Sequence, residues 1–246
     1  MLYGSDPGMK ALIFNSGTGS RMGTLTANKP KCLLPLPGGE TILSRQLRLL
    51  SLHGIREAVI TTGAYTGLIR QQAKCDRMEI TLVENPRYAH TNYIYSMFLA
   101  EPTIAGNDLL MLHGDLVFEE QVLTRLLAAS GNRCCVDLSA HLPEKDFKGR
   151  LRDGCLQEVS VHMFGQDCFA LQPLYKLDAA AVHAWCREVS AWVRRGQVQV
   201  YAEEALNRIP EQLHIQPLAC DGLLLSEVDT PEDYQAVWEV LNPCRN

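Results

Sequence analysis

Residues 14–36 read FNSGTGSRMGTLTANKPKCLLPL, with three glycines, one arginine and two lysines behind a short apolar run. A glycine turn after a strand lets backbone N–H groups approach a ligand, and that ligand is commonly a phosphate. The spacing is not that of a P-loop, because no Gly-Lys-Ser/Thr follows Gly17. Nor is it the dinucleotide fingerprint. The residue three beyond Gly19 is Met22, and the next strand ends in Thr61, Thr62 and Gly63 where an acid would hold a ribose. The block reads better as one device for a triphosphate. Gly17 and Gly19 bring the backbone close, Arg21 and Lys31 add charge over the same phosphates, and Pro30 stiffens the chain before Lys31. Arginine forks two oxygens, whereas lysine is a compact mobile charge. Such a loop suits nucleotidyl transfer, in which negative charge builds on the α-phosphate and the departing pyrophosphate.

The pattern S-G-x-G-S-R-M, then T-x-x-x-P-K-C-L-L, runs over Ser16, Gly17, Gly19, Ser20, Arg21 and Met22, then Thr26, Pro30, Lys31, Cys32, Leu33 and Leu34. It resembles the signature of the nucleotidyltransferases that make nucleotide-diphospho-sugars and CDP-linked small molecules. The resemblance runs from residue 9 along most of the chain, densest before residue 120. It implies an α/β fold: a single-domain Rossmann-like nucleotidyltransferase with a mixed, mostly parallel sheet flanked by helices and a smaller β-rich acceptor-binding subregion. It also implies that Asn15, Ser16, Gly17, Thr18, Gly19, Ser20 and Arg21 bind the nucleotide, with Arg21 and Lys31 as the catalytic cations.

Nucleotidyl transfer needs a divalent ion on the triphosphate, and Mg²⁺ takes one or two carboxylates besides phosphate oxygens. Asp115, in MLHGDLVF, follows an apolar run and belongs at a strand's C-terminal end, where open α/β sheets bind ligands. Asp229, in LLLSEVDTPEDY, has the same setting before a helix start. The resemblance pairs Asp115 and Asp229 as metal ligands, with Glu227 close by and Asp115 also at the nucleotide. His113 is read as a packed strand residue with a secondary claim on the site.

Residues 85–100, NPRYAHTNYIYSMFLA, resemble the choline-phosphate cytidylyltransferase branch, which implies that Thr91, Asn92 and Ser96 lie near the nucleotide or the acceptor. Tyr93, Tyr95, Met97 and Phe98 are read as packing. Resemblance to enzymes acting on small phosphonates assigns Lys148 to the acceptor's phosphonate or phosphate. It assigns Tyr201, Glu203 and Glu204, in VYAEEALNRI, to a cationic acceptor or a second metal. Asn15 and Ser16 stand where sugar enzymes usually carry two alanines, which tilts the expectation toward CTP and a small phosphonate or phosphate acceptor. A sugar-1-phosphate transferase using UTP or dTTP remains the alternative; a nucleotide sensor without catalysis is less favoured, since Lys31, Asp115 and Asp229 are all present.

The elements that must hold these groups alternate strand and helix through the first half: strands at 10–15, 57–63, 79–85 and 108–118, helices at 41–54, 66–75, 92–100 and 119–130. The second half is less regular. Strands are expected at 134–140, 156–163 and 213–220, a loop or hairpin at 148–155, and helices at 178–196, 202–211 and 230–242. One domain is expected over 9–246, behind a loose tail at 1–8. A net charge of −5 argues against a nucleic-acid partner. No apolar run approaches the roughly 20 residues of a membrane span. Nine cysteines without CxxC pairing point to buried thiols in a reducing cytoplasm. A homodimer is an admissible assembly.

Overall fold

The computed structural model describes residues 8–139 and 141–242, so the expected tail at 1–8 lies outside the described residues except for Gly8. KALIFN has four apolar residues in succession and no alternation, the pattern of a strand buried on both faces. It forms β1 (Lys10–Asn15) at the centre of the sheet. There follow α1 (Ile42–Leu52), β2 (Glu57–Thr62), α2 (Thr66–Gln72), β3 (Glu79–Glu84), α3 (Tyr93–Ile104), β4 (Leu109–His113), β5 (Leu116–Phe118), α4 (Glu120–Ala128) and β6 (Arg133–Asp137). The second half supplies β7 (Lys148–Arg152), β8 (Cys155–Ser160), β9 (Cys168–Leu177), α5 (Ala179–Arg194), α6 (Ala202–Leu206), α7 (Pro210–Leu213), β10 (Gln216–Ala219), β11 (Leu225–Glu227) and α8 (Pro231–Leu241).

The main sheet runs β10-β6-β9-β4-β1-β2-β3. Strands β4, β1, β2 and β3 are parallel, as are β6 and β10, and β9 lies antiparallel between the two groups. Along β1 the side chains alternate between two cores. Leu12 and Phe14 face a core shared with α3, α5 and α6, while Ala11 and Ile13 face one shared with α1 and α4. That is the two-residue period of a strand between helical layers.

Three differences from the sequence reading, and one choice it left open, matter to the site. The expected strand at 108–118 breaks at Gly114 and Asp115. Its second part, β5, leaves the main sheet and pairs antiparallel with β11. Residues 148–155 take the hairpin alternative: β7 turns into β8 with Asp153 and Gly154 at φ 52° and 77°. Strand β9 is unanticipated, because Pro173 argues against a central strand. It is tolerated since the register with β6 shifts there: Cys134 faces Tyr175 and Cys135 faces Gln172, leaving Pro173 in a bulge. The expected helix at 202–211 is two helices, since Pro210 starts a new one rather than continuing the first.

Strand β9 has two different neighbours along one edge. Its C-terminal half pairs with β4, through Leu174 to Leu177, and its N-terminal half pairs with β7, through Cys168 to Ala170. The sheet therefore opens between the end of β4 and the start of β7. Among the described residues, no helix is long and apolar enough to cross a membrane.

Glycine is needed where β2 ends. A Cβ on Gly63 would lie 2.5 Å from the Ser16 carbonyl oxygen and 2.9 Å from Tyr88 Cβ. Gly63→Ala is expected to displace the turn that carries Ser16 and to cost about 1–3 kcal/mol. Urea unfolding of the two proteins measures it; an unchanged midpoint would show that the turn yields freely.

Candidate active site

A cavity of about 280 Å³ opens at the C-terminal ends of β1 and β4. Its walls come from the β1 turn, the start of α3, the β4 end, the β11 end and the segment Lys145, Asp146, Phe147. These parts are far apart in sequence and meet because parallel strands end together, with their loops at one edge.

The β1 turn is fixed from beneath. Gly19 has φ 68°, and a Cβ there would press on Lys31 Cγ at 3.0 Å. The Gly19 carbonyl accepts from Met22 N at 3.0 Å and Thr26 Oγ1 at 2.8 Å, while the Met22 side chain is buried in a small core with Leu34 and Val228. Ser16 Oγ lies 3.1 Å from Thr61 Oγ1 and receives the Ser96 hydroxyl at 2.9 Å. Asn85 Nδ2 donates to Ser96 Oγ at 3.1 Å and to Thr91 Oγ1 at 3.0 Å. Ser16, Ser96 and Thr91, separate expectations from the sequence, thus form one network. Asn85, buried at its hub, opens the 85–100 stretch that carried the resemblance but was not itself given a role. Asn92 caps α3, its Oδ1 accepting from Tyr93 N at 2.8 Å. Asn15 packs on Gly114 so closely that a Cβ there would meet its Oδ1 at 1.8 Å; its buried Nδ2 has no partner among the described residues. Thr18 belongs to the same turn but is exposed and does not line the cavity.

The charged end is a chain of opposite charges. Lys31 Nζ donates to Asp115 Oδ2 at 2.8 Å and to Asp229 Oδ1 more closely still. Arg21 reaches the other oxygen of Asp229 at 2.8 Å. The ribbon of β5 and β11 sets this convergence, since Val228 N donates to the Asp115 carbonyl at 3.0 Å. The cap of α8 fixes Asp229 in turn: Asp233 Oδ2 accepts from Asp229 N at 3.1 Å and Thr230 N at 2.7 Å. Burial works against the charges of Lys31 and Asp115. It would depress the Lys31 ammonium, yet Asp115 and Asp229 hold it above its usual value. Burial would also raise the Asp115 carboxyl, yet Lys31 and then His113 hold it below. Beside them His113 Nδ1 is 2.9 Å from Glu227 Oε1, and burial of the imidazole is outweighed by Glu227, so His113 also titrates above its usual value.

Two carboxylates converging on one cationic nitrogen form a donor set that suits a hard divalent ion. Asp115 and Asp229 are the pair expected from sequence. A second grouping shares Asp115, with ligand atoms of His113, Asp115 and Glu227 within 4.8 Å of one another. The sequence reading gave His113 and Glu227 less weight than this position warrants.

The other end of the cavity is aromatic. Ring centroids are 4.8 Å apart for Tyr93 and His113, 5.1 Å for Phe147 and Tyr201, and 6.0 Å for Tyr93 and Tyr201. Tyr201 lines the cavity, as the resemblance implied. Tyr93, read as packing, lines it too, and Phe147 had not been singled out. Three residues expected at the acceptor do not line the cavity. Lys148 is fully buried, and its Nζ donates to the carbonyls of Pro143 at 2.7 Å and Val161 at 2.6 Å, so it anchors the β7 end. Glu203 lies behind the aromatic wall, 1% exposed, and receives the hydroxyls of Tyr93 and Tyr175. Glu204, on the same helix, is not part of the lining. Helical spacing cannot tell which acid of an adjacent pair faces inward when the helix is one turn long.

Lys31 holds the carboxylates that a metal would take. Lys31→Met removes a competing cation and keeps the side-chain length, so Mn²⁺ without nucleotide should bind on the order of 10-fold more tightly than to wild type. Titration followed by electron paramagnetic resonance reads this directly. Unchanged or weaker binding would show that Asp115 and Asp229 are not a cation site.

A family model described as a MobA-like NTP transferase domain matches residues 11–209. Over 123 residues the chain is 36% identical to CMP-5'-(3-aminopropyl)phosphonate synthase of Streptomyces rubellomurinus, a match spanning 49% of this chain and only 19% of that protein. It is 26% identical over 245 residues to choline-phosphate cytidylyltransferase of Haemophilus influenzae, spanning 96% of this chain and 98% of that one. The solved CTP:phosphocholine cytidylyltransferase of Streptococcus pneumoniae superposes with a TM-score of 0.74 at 19% identity, over 95% of this chain and 99% of that one. A structure described as a glucose-1-phosphate thymidylyltransferase from Bacillus anthracis gives 0.77 at 14% identity, over 97% of both chains. The glycine turn, the strand order and the family match over most of the chain agree: this protein belongs to the MobA-like NTP transferase domain family.

Proposed function

We propose that the chain is a cytidylyltransferase that transfers CMP from CTP to a small phosphonate or a phosphorylated alcohol or amine, releasing pyrophosphate. Candidate acceptors are 2-aminoethylphosphonate, 2-hydroxyethylphosphonate and phosphocholine. The observation that carries this reading is the convergence of Lys31 and Arg21 on Asp115 and Asp229 at the rim of the glycine turn. The activities named for the relatives from Streptomyces and Haemophilus support cytidine and a compact acceptor.

Asp115 and Asp229 would hold Mg²⁺, which supplies charge neutralisation across the triphosphate. Lys31 and Arg21, freed from the two carboxylates, face the phosphates and offset the charge that grows toward the leaving pyrophosphate. The N–H groups of the Gly17 turn orient the phosphates. The acceptor's phosphonate or phosphate oxygen is anionic at neutral pH and attacks the α-phosphorus without a strong base. Catalysis is then alignment and electrostatics. The acceptor's tail occupies the aromatic end. We place the reaction in a reducing cytoplasm, a reading supported by eight free cysteines among the described residues.

A sugar-1-phosphate reading is favoured by one observation, the thymidylyltransferase superposition, which at 14% identity concerns the fold alone. Pyrophosphate release decides between the two. Each of CTP, UTP and dTTP is incubated with Mg²⁺ and each of 2-aminoethylphosphonate, phosphocholine and glucose-1-phosphate. Turnover is expected with CTP and a non-sugar acceptor; release only with the sugar phosphate would refute the proposal. Lys31→Ala should lower kcat/KM on the order of 10²-fold or more, the scale of a lost transition-state charge contact. Near-wild-type turnover would remove Lys31 from the catalytic role.

A further inference from the structure

Glu203 is buried on α6 and does not line the cavity. Its carboxyl receives two tyrosine hydroxyls, from Tyr93 and, at 3.1 Å, from Tyr175. Tyr175 is an interior residue of β9, 1% exposed, with its ring edge-on to Trp185 at 5.6 Å. Tyr93 is the first residue of α3 and lines the cavity beside His113 and Tyr201. Glu203 therefore ties a ring at a helix end, where rotamers are least constrained, to a fixed point in the sheet. The backbone around Glu203 is itself held, since Trp185 Nε1 donates to the Ala202 carbonyl at 2.9 Å.

We infer that Glu203 is a positioning residue that sets acceptor specificity: it meets no ligand, but by holding the Tyr93 hydroxyl it fixes the aromatic wall against which the acceptor's tail packs. This rests on the reaction proposed above. With its hydroxyl committed to Glu203, Tyr93 offers the cavity aromatic carbon instead of a polar tip. A wall of that kind accepts a short aliphatic or aminoalkyl tail. It leaves the hydroxyls of a sugar ring without partners, and unpaired buried polar groups are costly. Ordering the ring before the acceptor arrives also lowers the entropy lost on binding. Burial pushes the Glu203 carboxyl up to about 8, so a neutral amide is a fair replacement near pH 7. A residue that contacted a cationic acceptor directly would instead need its charge.

The test is steady-state kinetics with CTP and 2-aminoethylphosphonate for wild type, Glu203→Gln, Glu203→Leu, Tyr93→Phe and the double variant Tyr93→Phe/Glu203→Leu. Glutamine keeps an oxygen for the Tyr93 hydroxyl, so Glu203→Gln should stay within about threefold of wild type in acceptor KM. Glu203→Leu and Tyr93→Phe should each raise it about tenfold, the scale of one lost hydrogen bond, with the KM for CTP unchanged. The double variant should be no worse than either single one, because both remove the same bond. Glu203→Gln as damaging as Glu203→Leu, or additive effects in the double variant, would overturn the inference. Should Glu203→Leu fail to fold, Tyr93→Phe alone decides: an unchanged acceptor KM overturns it. A wild-type enzyme that turns over no small acceptor would fail at the earlier step, as a failure of the proposed reaction itself.

Discussion

The site depends on one constraint, that a buried cation must be met by carboxylates and buried carboxylates by a cation. Asp115 and Asp229 come from widely separated parts of the chain, and each alone would be a half-buried charge at a steep desolvation cost. Lys31 satisfies both, and Arg21 takes the remaining oxygen of Asp229. The glycine turn, the β4 end and the β11 ribbon are thereby drawn to one point. In the proposed reaction the same groups would trade partners: a divalent ion would take the place of the lysine at the carboxylates, and phosphates that of the carboxylates at the lysine.

How much of this was legible in the sequence follows from the range of the forces involved. The glycine turn is local. Its residues are adjacent in the chain, and its geometry follows from residue type, so Ser16, Gly19, Arg21 and Lys31 could be singled out directly. Asp115 and Asp229 were legible because each follows an apolar run that had to be a strand. What was hidden is non-local. Strand β9 contains a proline that only its bulge against β6 makes tolerable, and that bulge exists only once β6 is beside it. Most of the aromatic end was hidden likewise: Tyr201 was reached through the resemblance alone, and Tyr93 and Phe147 sit on separate segments with no shared period.

Lys148 and Glu203 show a different limit. Resemblance to a motif supplied the residue type but not the depth. A lysine at a strand start can point to solvent, to a ligand or to carbonyls, and here three backbone carbonyls lie within reach of its Nζ, those of Pro143, Glu144 and Val161. A glutamate on a one-turn helix can face either way, and here it faces the tyrosines. In both cases the polar group is satisfied internally, which a pattern of letters does not encode.

The forked pairing of β9 has a consequence for how such a protein can diversify. One half of the strand is bonded to β4, which carries His113 and leads into Asp115. The other half is bonded to β7, whose hairpin stands behind Phe147. A single strand thus serves, along one edge, two neighbours that do not bond to each other. Length or sequence can change in the β7–β8 hairpin without disturbing the register of β4. Inheritance can therefore act on the Phe147 end of the cavity and leave the end at Lys31, Asp115 and Asp229 untouched.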